Sequence, residues 1–372
     1  MALQITQQPG SVSFAGDPII AKAKTTLSDK TFLRIVADCT VKVLRSGDEF
    51  QYSESYTYLV GSDGVATFNV ANTVRAALDK YVEQEVNGVT VSQTLYTAQF
   101  QITYKEMYLD GVLEVTSSTV TSEWYKAVMG RLTEYERMTA SNADTASLLD
   151  SGRILSRKPA GERVPKGIDL YLPAISTVSD TLSYYTQQTE KKAYSQYTGG
   201  TYVPASLKIS TDALSEGVLT VGISQEAAGE KVVVPQIPVM KHFLFLNGFG
   251  LIESVTAITK ESFSYTIQAE TYTVPAEINY RGHTRTVSYA DSPQAELEMS
   301  SGYVNREWAE WWLSEFVTTR KAWMLDGGIY LPVAIIPDEE NIVYDRTKPG
   351  LLAVGFTVRY LFLGSAYNTF IK

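Results

Sequence analysis

His242 and His283 are the chain's two histidines, and Cys39 is its one cysteine. These residue types most often serve as bases, metal ligands and nucleophiles near neutral pH. The histidines stand 41 positions apart, and neither falls in an H-E-x-x-H or comparable metal-ligating spacing. His242 opens the strand-like "MKHFLF" and His283 lies in the turn-like "NYRGHTRT", so both read as structural or surface residues. Cys39 sits inside the apolar "FLRIVADCTVKVL" and reads as a small buried side chain. As the only cysteine, it has no intrachain partner for a disulfide. A Ser-His-Asp triad is a spatial arrangement, but no G-x-S-x-G elbow marks its serine. "GFG" at Gly248 lacks the third glycine and the helix of a dinucleotide loop, and no P-loop is present. "PDEEN", 337–341, groups carboxylates without the spaced ligands of a calcium loop, and reads as a solvated hairpin loop. The 41 acidic residues are too many to nominate a glycosidase pair. The expectation is a non-enzymatic chain with no catalytic, cofactor-binding or metal residue and no cofactor.

Two aromatic groups remain as candidate partner or glycan contacts. "NREWAEWWLSEFV", 305–317, places Trp308, Trp311 and Trp312 within five positions. Asn305 suits a helix N-cap, and Glu307 suits the positive end of the helix dipole. Trp308, Trp312 and Phe316 then recur at i, i+4 and i+8 with Trp311 beside them, forming one aromatic stripe. Core or subunit packing is the favoured use of that stripe, ahead of a ligand platform. A membrane anchor wants basic residues on its polar face, whereas this helix carries Glu307, Glu310 and Glu315. The second group, Tyr184, Tyr185, Tyr194, Tyr197 and Tyr202, lies in "SYYTQQTEKKAYSQYTGGTY". Its rings could stack on sugars or on a protein partner, but a pair of strands with half-buried tyrosines is the favoured reading.

The elements that must position these groups are mostly strands. The first hundred residues run as "SVSFAG", "PIIAKAKT", "TFLRIVADCTVKVLR" and "EFQYSESYTYLVGS". Phe50, Tyr52, Tyr56 and Tyr58 share one face at period 2, and Glu54 interrupts it, which predicts a partly solvated face near a sheet edge. "GSDG", 61–64, is a hairpin signal. Val74, Ala77, Leu78 and Tyr81 fit a short helix. "SEWYKAVMGRLTEYERM" reads as a helix capped by Ser122, followed by a long turn-rich loop. "RILSRKPAGERVPK", 153–166, is the best local basic patch, and a solvated linker is its favoured reading. Further strand-like runs fill the C-terminal part, where Asp326-Gly327-Gly328 marks a hairpin and "LLAVGFTVRYLFLG" reads as a central or covered strand. No tandem repeat of fixed period occurs. The fold class expected is mainly β, with two or more β-sandwich-like domains and a few short helices. The divisions drawn are 1–118, a β-sandwich; 119–205, a helix and long-loop region; and 206–372, a β-rich domain with the Trp helix.

The totals bound the rest. The chain has 372 residues, enough for two or three domains, and is 44% hydrophobic, enough for sizeable cores. Its net charge of −9 repels a polyanion on average, so general nucleic-acid binding is not expected. The polar start "MALQITQQPGSVSFAGDP" lacks the basic and apolar regions of a signal peptide. No apolar run approaches the ~20 residues of a bilayer span. Synthesis and folding in a cytoplasm, with no membrane insertion, is the simplest expectation.

The succession "FLFLNGFGLIESVTAITKESFSYTIQAETY", "ELEMSSGYVNREWAEWWLSEFVTTRKAWML" and "GGIYLPVAIIPDEENIVYDRTKPGLLAVGFTVRYLF" resembles uncharacterised structural proteins of Bacteroidetes phages and prophages. In those, an N-x-x-G turn, a strand pair, a "TGY"-like segment, a helix and a hairpin strand follow in this order. "SFAGDPIIAKAKT" is similar to the start of their β-sandwich. The resemblance covers about half the chain, mainly 241–363 and 11–45, and assigns no functional residue. Residues 121–240 have no counterpart in it, and Phe249 stands at an expectedly variable position. It implies a virion protein of the tail or distal-tail/baseplate type, assembled in the host cytoplasm with copies of itself and other virion proteins. The alternative is a carbohydrate-binding or adhesion module that contacts a host surface glycan.

Overall fold

The computed structural model describes residues 3–44, 49–79, 97–139, 155–176, 181–188, 191–198, 203–223, 226–266, 269–275, 284–290, 294–338 and 352–361. His283, Tyr81, Tyr202, most of the turn-rich loop that follows "TEYERM" and the end of "PDEEN" lie outside these residues. The chain forms two compact units. The first holds Met1–Val234 with Leu246–Glu253, and the second holds Pro235–Phe245 with Ser254–Lys372. Both are built mainly of strands, as the alternation predicts.

Nine strands form a sandwich at the start of the first unit: β1 (Leu3–Gln7), β2 (Val12–Phe14), β3 (Ile20–Thr25), β4 (Thr31–Leu44), β5 (Glu49–Leu59), β6 (Val65–Asn69), β7 (Thr97–Asp110), β8 (Leu113–Thr121) and β9 (Tyr125–Val128). One sheet has the order β1-β3-β6; the other has β2-β9-β7-β4-β5, with β8 also paired to β7. Period-2 burial makes the interior. Ile35, Ala37, Cys39, Val41 and Val43 of β4 and Ala98, Phe100, Ile102 and Tyr104 of β7 are buried. Phe68 of the opposite sheet meets Tyr104 at 6.1 Å between ring centroids. The "GSDG" turn is present, but it joins β5 of one sheet to β6 of the other. It is therefore an arch between sheets rather than a hairpin. Helix α1 (Ala71–Asp79) buries Val74, Ala77 and Leu78, as their spacing predicts. Ser122 caps no helix. Its hydroxyl accepts from the Ile102 amide at 3.0 Å, and the segment after it becomes β9. The helix that does form, α2 (Glu134–Thr139), starts at a capping box: Thr133 Oγ1 accepts from the Glu136 amide, and the Glu136 carboxylate accepts from the Thr133 amide.

The rest of the first unit adds β10 (Glu162–Pro165), β11 (Leu170–Ser176), β12 (Thr181–Gln188), β13 (Lys191–Thr198), β14 (Val203–Ile209), β15 (Gly217–Ile223) and β16 (Glu226–Val234). The order β10-β16-β15-β12-β13 makes one sheet, and β11 pairs with β14. Val164, Leu170, Leu172, Ala174, Leu207, Leu219, Val221 and Val233 fill the core. Strands thus occupy much of a region whose polar sequence reads as helix and loop. "TLSYYTQQ" and "KKAYSQYT" pair as a hairpin, the favoured reading of the tyrosine stretch.

The second unit contains β17 (Met240–Leu246), β18 (Ile252–Thr266), β19 (Ala269–Pro275), β20 (Thr284–Ala290), β21 (Gln294–Ser300), β22 (Ala322–Asp326), β23 (Ile329–Pro337) and β24 (Gly355–Tyr360). Six of these close into a barrel in the order β17-β18-β21-β24-β23-β22, and β19 and β20 form a separate ribbon. β24 lies between β21 and β23, which explains its two apolar faces. The β22–β23 turn uses Gly327 and Gly328 at φ 56° and 84°, the left-handed pair a tight hairpin requires.

Candidate functional site

The tryptophan stretch forms helix α3 (Arg306–Trp311), continued by a π-helical turn over Trp312–Phe316. Asn305 caps it by accepting from the Trp308 amide at 3.0 Å. Trp311 and Trp312 are 4% and 2% exposed and sit in the barrel core with Phe243, Phe245, Phe316 and Phe356. Trp312 stacks on Phe356 at 5.8 Å, and Phe316 meets Trp312 edge-on at 4.9 Å. Trp308 is partly buried against the same core, 5.3 Å from Trp311. The stripe therefore seals the barrel, and Trp311 and Trp312 present no flat ring outward. The tyrosine group belongs to the β12–β13 hairpin of the first unit. There Tyr184 is opposite Ser195, Tyr185 opposite Tyr194, and Leu182 opposite Tyr197. Tyr185 is buried and lies over Gly222, where a Cβ would collide with its ring.

The groups best suited to chemistry are enclosed. The "RILSRKPAGERVPK" stretch is neither a basic patch nor a solvated linker. Lys158 Nζ lies 2.5 Å from Glu162 and 3.5 Å from Glu253, and Lys231 Nζ lies 2.6 Å from Glu162. The Lys158 and Glu253 side chains are 1% and 0% exposed. Ser156 donates to Glu253, and Asn247 Nδ2 donates to Glu253 at 3.1 Å and to the Leu155 carbonyl at 2.7 Å. Burial pushes the Glu162 carboxyl upward, but the two ammonium groups outweigh it and hold it below the usual carboxylate range. Burial dominates at Glu253 and raises it despite Lys158 and Ser156. Two buried positive and two buried negative groups neutralise one another, the arrangement that makes buried charge tolerable.

Around this network the N-x-x-G turn becomes intelligible. Asn247 Oδ1 accepts from the amides of Phe249 and Leu251 at 3.0 and 3.1 Å, folding the tip. Phe249 packs on Phe14 at 5.9 Å and lies under the Arg157 guanidinium at 4.1 Å. Gly130 and Gly250 bring their backbones together so closely that a Cβ on either would overlap the other segment. This junction is a packing device.

Cys39 and His242 are also closed. Cys39 is buried, and burial together with Glu54 pushes its thiol up to about 12, so the nucleophilic thiolate is suppressed. His242 is buried, with Nδ1 3.3 Å from Thr256 Oγ1. Among the described residues no three His, Cys, Asp or Glu gather as a metal site.

What the first unit does present is a strand edge. Among the described residues β5 ends its sheet, and it pairs with β4 through eleven consecutive residues, from Arg34–Leu59 to Leu44–Glu49, without a register shift. Tyr52 and Tyr58 are exposed on it, as the interrupted aromatic face predicts. Glu54 accepts from Thr73 Oγ1 of α1 at 2.7 Å. At one end of the same sheet the exposed apolar residues Phe32, Leu59, Val112 and Leu113 gather, placed there by the pairs Arg34–Leu59 and Asp110–Leu113. Phe32 has φ 52°, a strained conformation for an aromatic residue, at the bulge between Thr31 and Arg34. A surface pocket of about 420 Å³ lies beside it, lined in part by Phe32, Leu33, Leu59 and Val60.

No family model matches this chain, and no curated protein matches it. Among solved structures the chain is similar to one from work on host cell surface retention of a 1.5-MDa bacterial ice-binding adhesin. The two are 10% identical, with 81% of this chain and 92% of that chain covered, at a TM-score of 0.16. A likeness that slight carries no argument about fold or function.

Proposed function

We propose that the chain is a non-catalytic structural protein of a phage particle. In this reading it is a tail or distal-tail/baseplate component that joins copies of itself and neighbouring virion proteins through its β-domains. The observation that carries the reading is β5. Natural proteins blunt edge strands with proline, charged side chains (lysine above all), bulges or covering elements. "EFQYSESYTYL" has no proline or lysine and its pairing has no bulge; its two charges are Glu49 and Glu54, and Glu54 is tied to Thr73. A long, regular, tyrosine-bearing edge of this kind is a template for strand addition. The sealed state of Cys39, His242 and the Lys–Glu network supports a role in contact rather than turnover. The resemblance of 241–363 and 11–45 to phage structural proteins supplies the particle.

The test has two parts. Light scattering behind size exclusion is expected to give a defined oligomer, and deletion of the gene from its phage is expected to give particles with defective tails. A monomer at every concentration, together with normal tails in the deletion, overturns the reading. The adhesion alternative draws on the exposed rings of Tyr52 and Tyr58. Glycan-array binding that is lost when both become alanine would favour it over assembly.

A further inference from the structure

We propose that Lys158 and Asn247 react with each other to form an intramolecular isopeptide bond, with Glu253 carrying the proton between them. The bond would lie within the first unit and needs no second copy, so it stands apart from the assembly reading. Lys158 and Asn247 are 89 positions apart in the chain, yet one carboxyl spans them. Glu253 Oε1 lies 3.5 Å from Lys158 Nζ, and Glu253 Oε2 accepts from Asn247 Nδ2 at 3.1 Å. The Asn247 carboxamide is oriented at both ends. Its oxygen accepts from the amides of Phe249 and Leu251 at 3.0 and 3.1 Å, so charge that develops on Oδ1 meets donors already in place. Its nitrogen faces Glu253, a group able to protonate it as it leaves. Burial favours a proton on Glu253, while Glu162 keeps its charge and its hold on Lys158 Nζ at 2.5 Å.

The steps balance within these groups. A proton passes from the Lys158 ammonium to the Glu253 carboxylate, which leaves both neutral. The Nζ lone pair attacks Cγ of Asn247, and an N–C bond forms as the carbonyl electrons move to Oδ1. Glu253 gives its proton to Nδ2 and takes one from Nζ. The carbonyl then re-forms, the C–Nδ2 bond breaks and ammonia leaves. An ammonium, a carboxylate and a carboxamide have become an amide, a neutral carboxyl and ammonia, so no net charge is created in the buried site. Lys231 and Glu162 remain as an ion pair at 2.6 Å, which accounts for the second lysine. Both reactants belong to the chain, so a site closed to substrate suits a reaction that occurs once. The freshly folded chain holds all four charges, and its unfolding reads the ionic network; the linked chain is the later state.

The experiment follows the mass of the full folded chain over days at neutral pH. The intact mass is expected to fall by one ammonia, ~17 Da. Trypsin is then expected to release "KPAGER", 158–163, joined through Lys158 to Asn247 of "HFLFLNGFGLIESVTAITK", 242–260. Glu253→Gln is expected to slow the mass loss ~100-fold or more, the usual worth of a positioned proton carrier. Lys158→Met is expected to abolish the loss and the joined peptide. Far-UV circular dichroism checks that each chain folds. A folded wild type that keeps its full mass and releases the two peptides separately overturns the bond, whatever the variants do. Loss of ammonia without the joined peptide, or in Lys158→Met, overturns it in favour of ring closure at Asn247-Gly248. Loss of water with Lys158 joined to Glu162 overturns it in favour of a different link. Solution mass of the assembly and the gene deletion bear on the virion reading alone, so either proposal can fail without the other.

Discussion

The barrel interior of the second unit and the buried network of the first solve one problem with opposite chemistry. The barrel is filled by Phe243, Phe245, Trp311, Trp312, Phe316 and Phe356, whose rings meet mostly edge-to-face. Each such ring removes ~150–250 Å² from water, and none of them titrates. The network of Lys158, Glu162, Lys231 and Glu253 fills its space with two charges of each sign. Area protects the first region whatever the pH. The second depends on its opposite charges staying paired, above all Glu162 with its two lysines. The difference separates a core whose stability is indifferent to pH from one whose stability follows the charge on its carboxylates.

The sharpest challenge to the barrel is Trp312→Ala, expected to cost about 4 kcal/mol, within the range for buried aromatic truncation. Urea unfolding followed by tryptophan fluorescence reads it well, because Trp308, Trp311, Trp312 and Trp323 all belong to the second unit and only Trp124 to the first. A loss under about 1 kcal/mol would mean that the stripe is not the seal described.

For the network, Glu162→Gln is expected to cost about 3 kcal/mol at neutral pH, since it leaves two buried ammonium groups facing one carboxylate. The same residue sets an acid limit. Its carboxyl titrates lower in the folded chain than in the unfolded one, so its contribution is full above the usual glutamate value and disappears as pH falls through the depressed one. Glu253 has the opposite sign. Raised in the folded state, it favours folding below the usual glutamate value and loses that contribution as pH rises through its own. Urea midpoints measured across the acidic range should therefore fall with pH in the wild type, and fall less in Glu162→Gln.

Two smaller changes refine the contrast. Asn305→Ala removes the cap of α3 and is expected to cost about 1 kcal/mol, read by the same fluorescence transition. Glu253→Gln is expected to cost about 1 kcal/mol or less, because burial already opposes its charge and an amide keeps partners in Ser156 and Asn247. If Glu253→Gln proves as damaging as Glu162→Gln, the two carboxylates are equivalent and the contrast between their titrations fails.

What could be read from the sequence follows from how local each cause is. The Asn305 cap, the aromatic stripe, the Asp326-Gly327-Gly328 turn and the solvated face of β5 depend on residues within a turn or two of one another, and their spacing shows them. The ionic network joins Lys158 and Glu162 to Lys231 and Glu253, 69 and more positions away. From sequence alone Lys158 and Glu162 stand in a polar stretch with proline and glycine, Lys231 and Glu253 stand in separate apolar strand-like runs, and no local pattern marks their burial together. The "GSDG" turn was visible as a turn, but which sheets it links depends on pairing far along the chain. The barrel's closure was hidden for the same reason, since β17 meets β22 about eighty residues later. The β12–β13 hairpin is legible as the pair of strands favoured for the tyrosine stretch, since tyrosine and threonine suit extended backbone.

The division of the chain has a consequence for anyone who takes it apart. Leu246–Glu253 counts with the first unit although the residues on both sides of it count with the second. Phe249 and Leu251 share a core with Val12, Phe14, Val128, Leu132 and Leu155. A single cut therefore cannot yield two whole pieces. A fragment ending at Val234 lacks part of its own interior, and one starting at Pro235 carries that part away as exposed apolar surface. Exchange of either half by one crossover would meet the same obstacle.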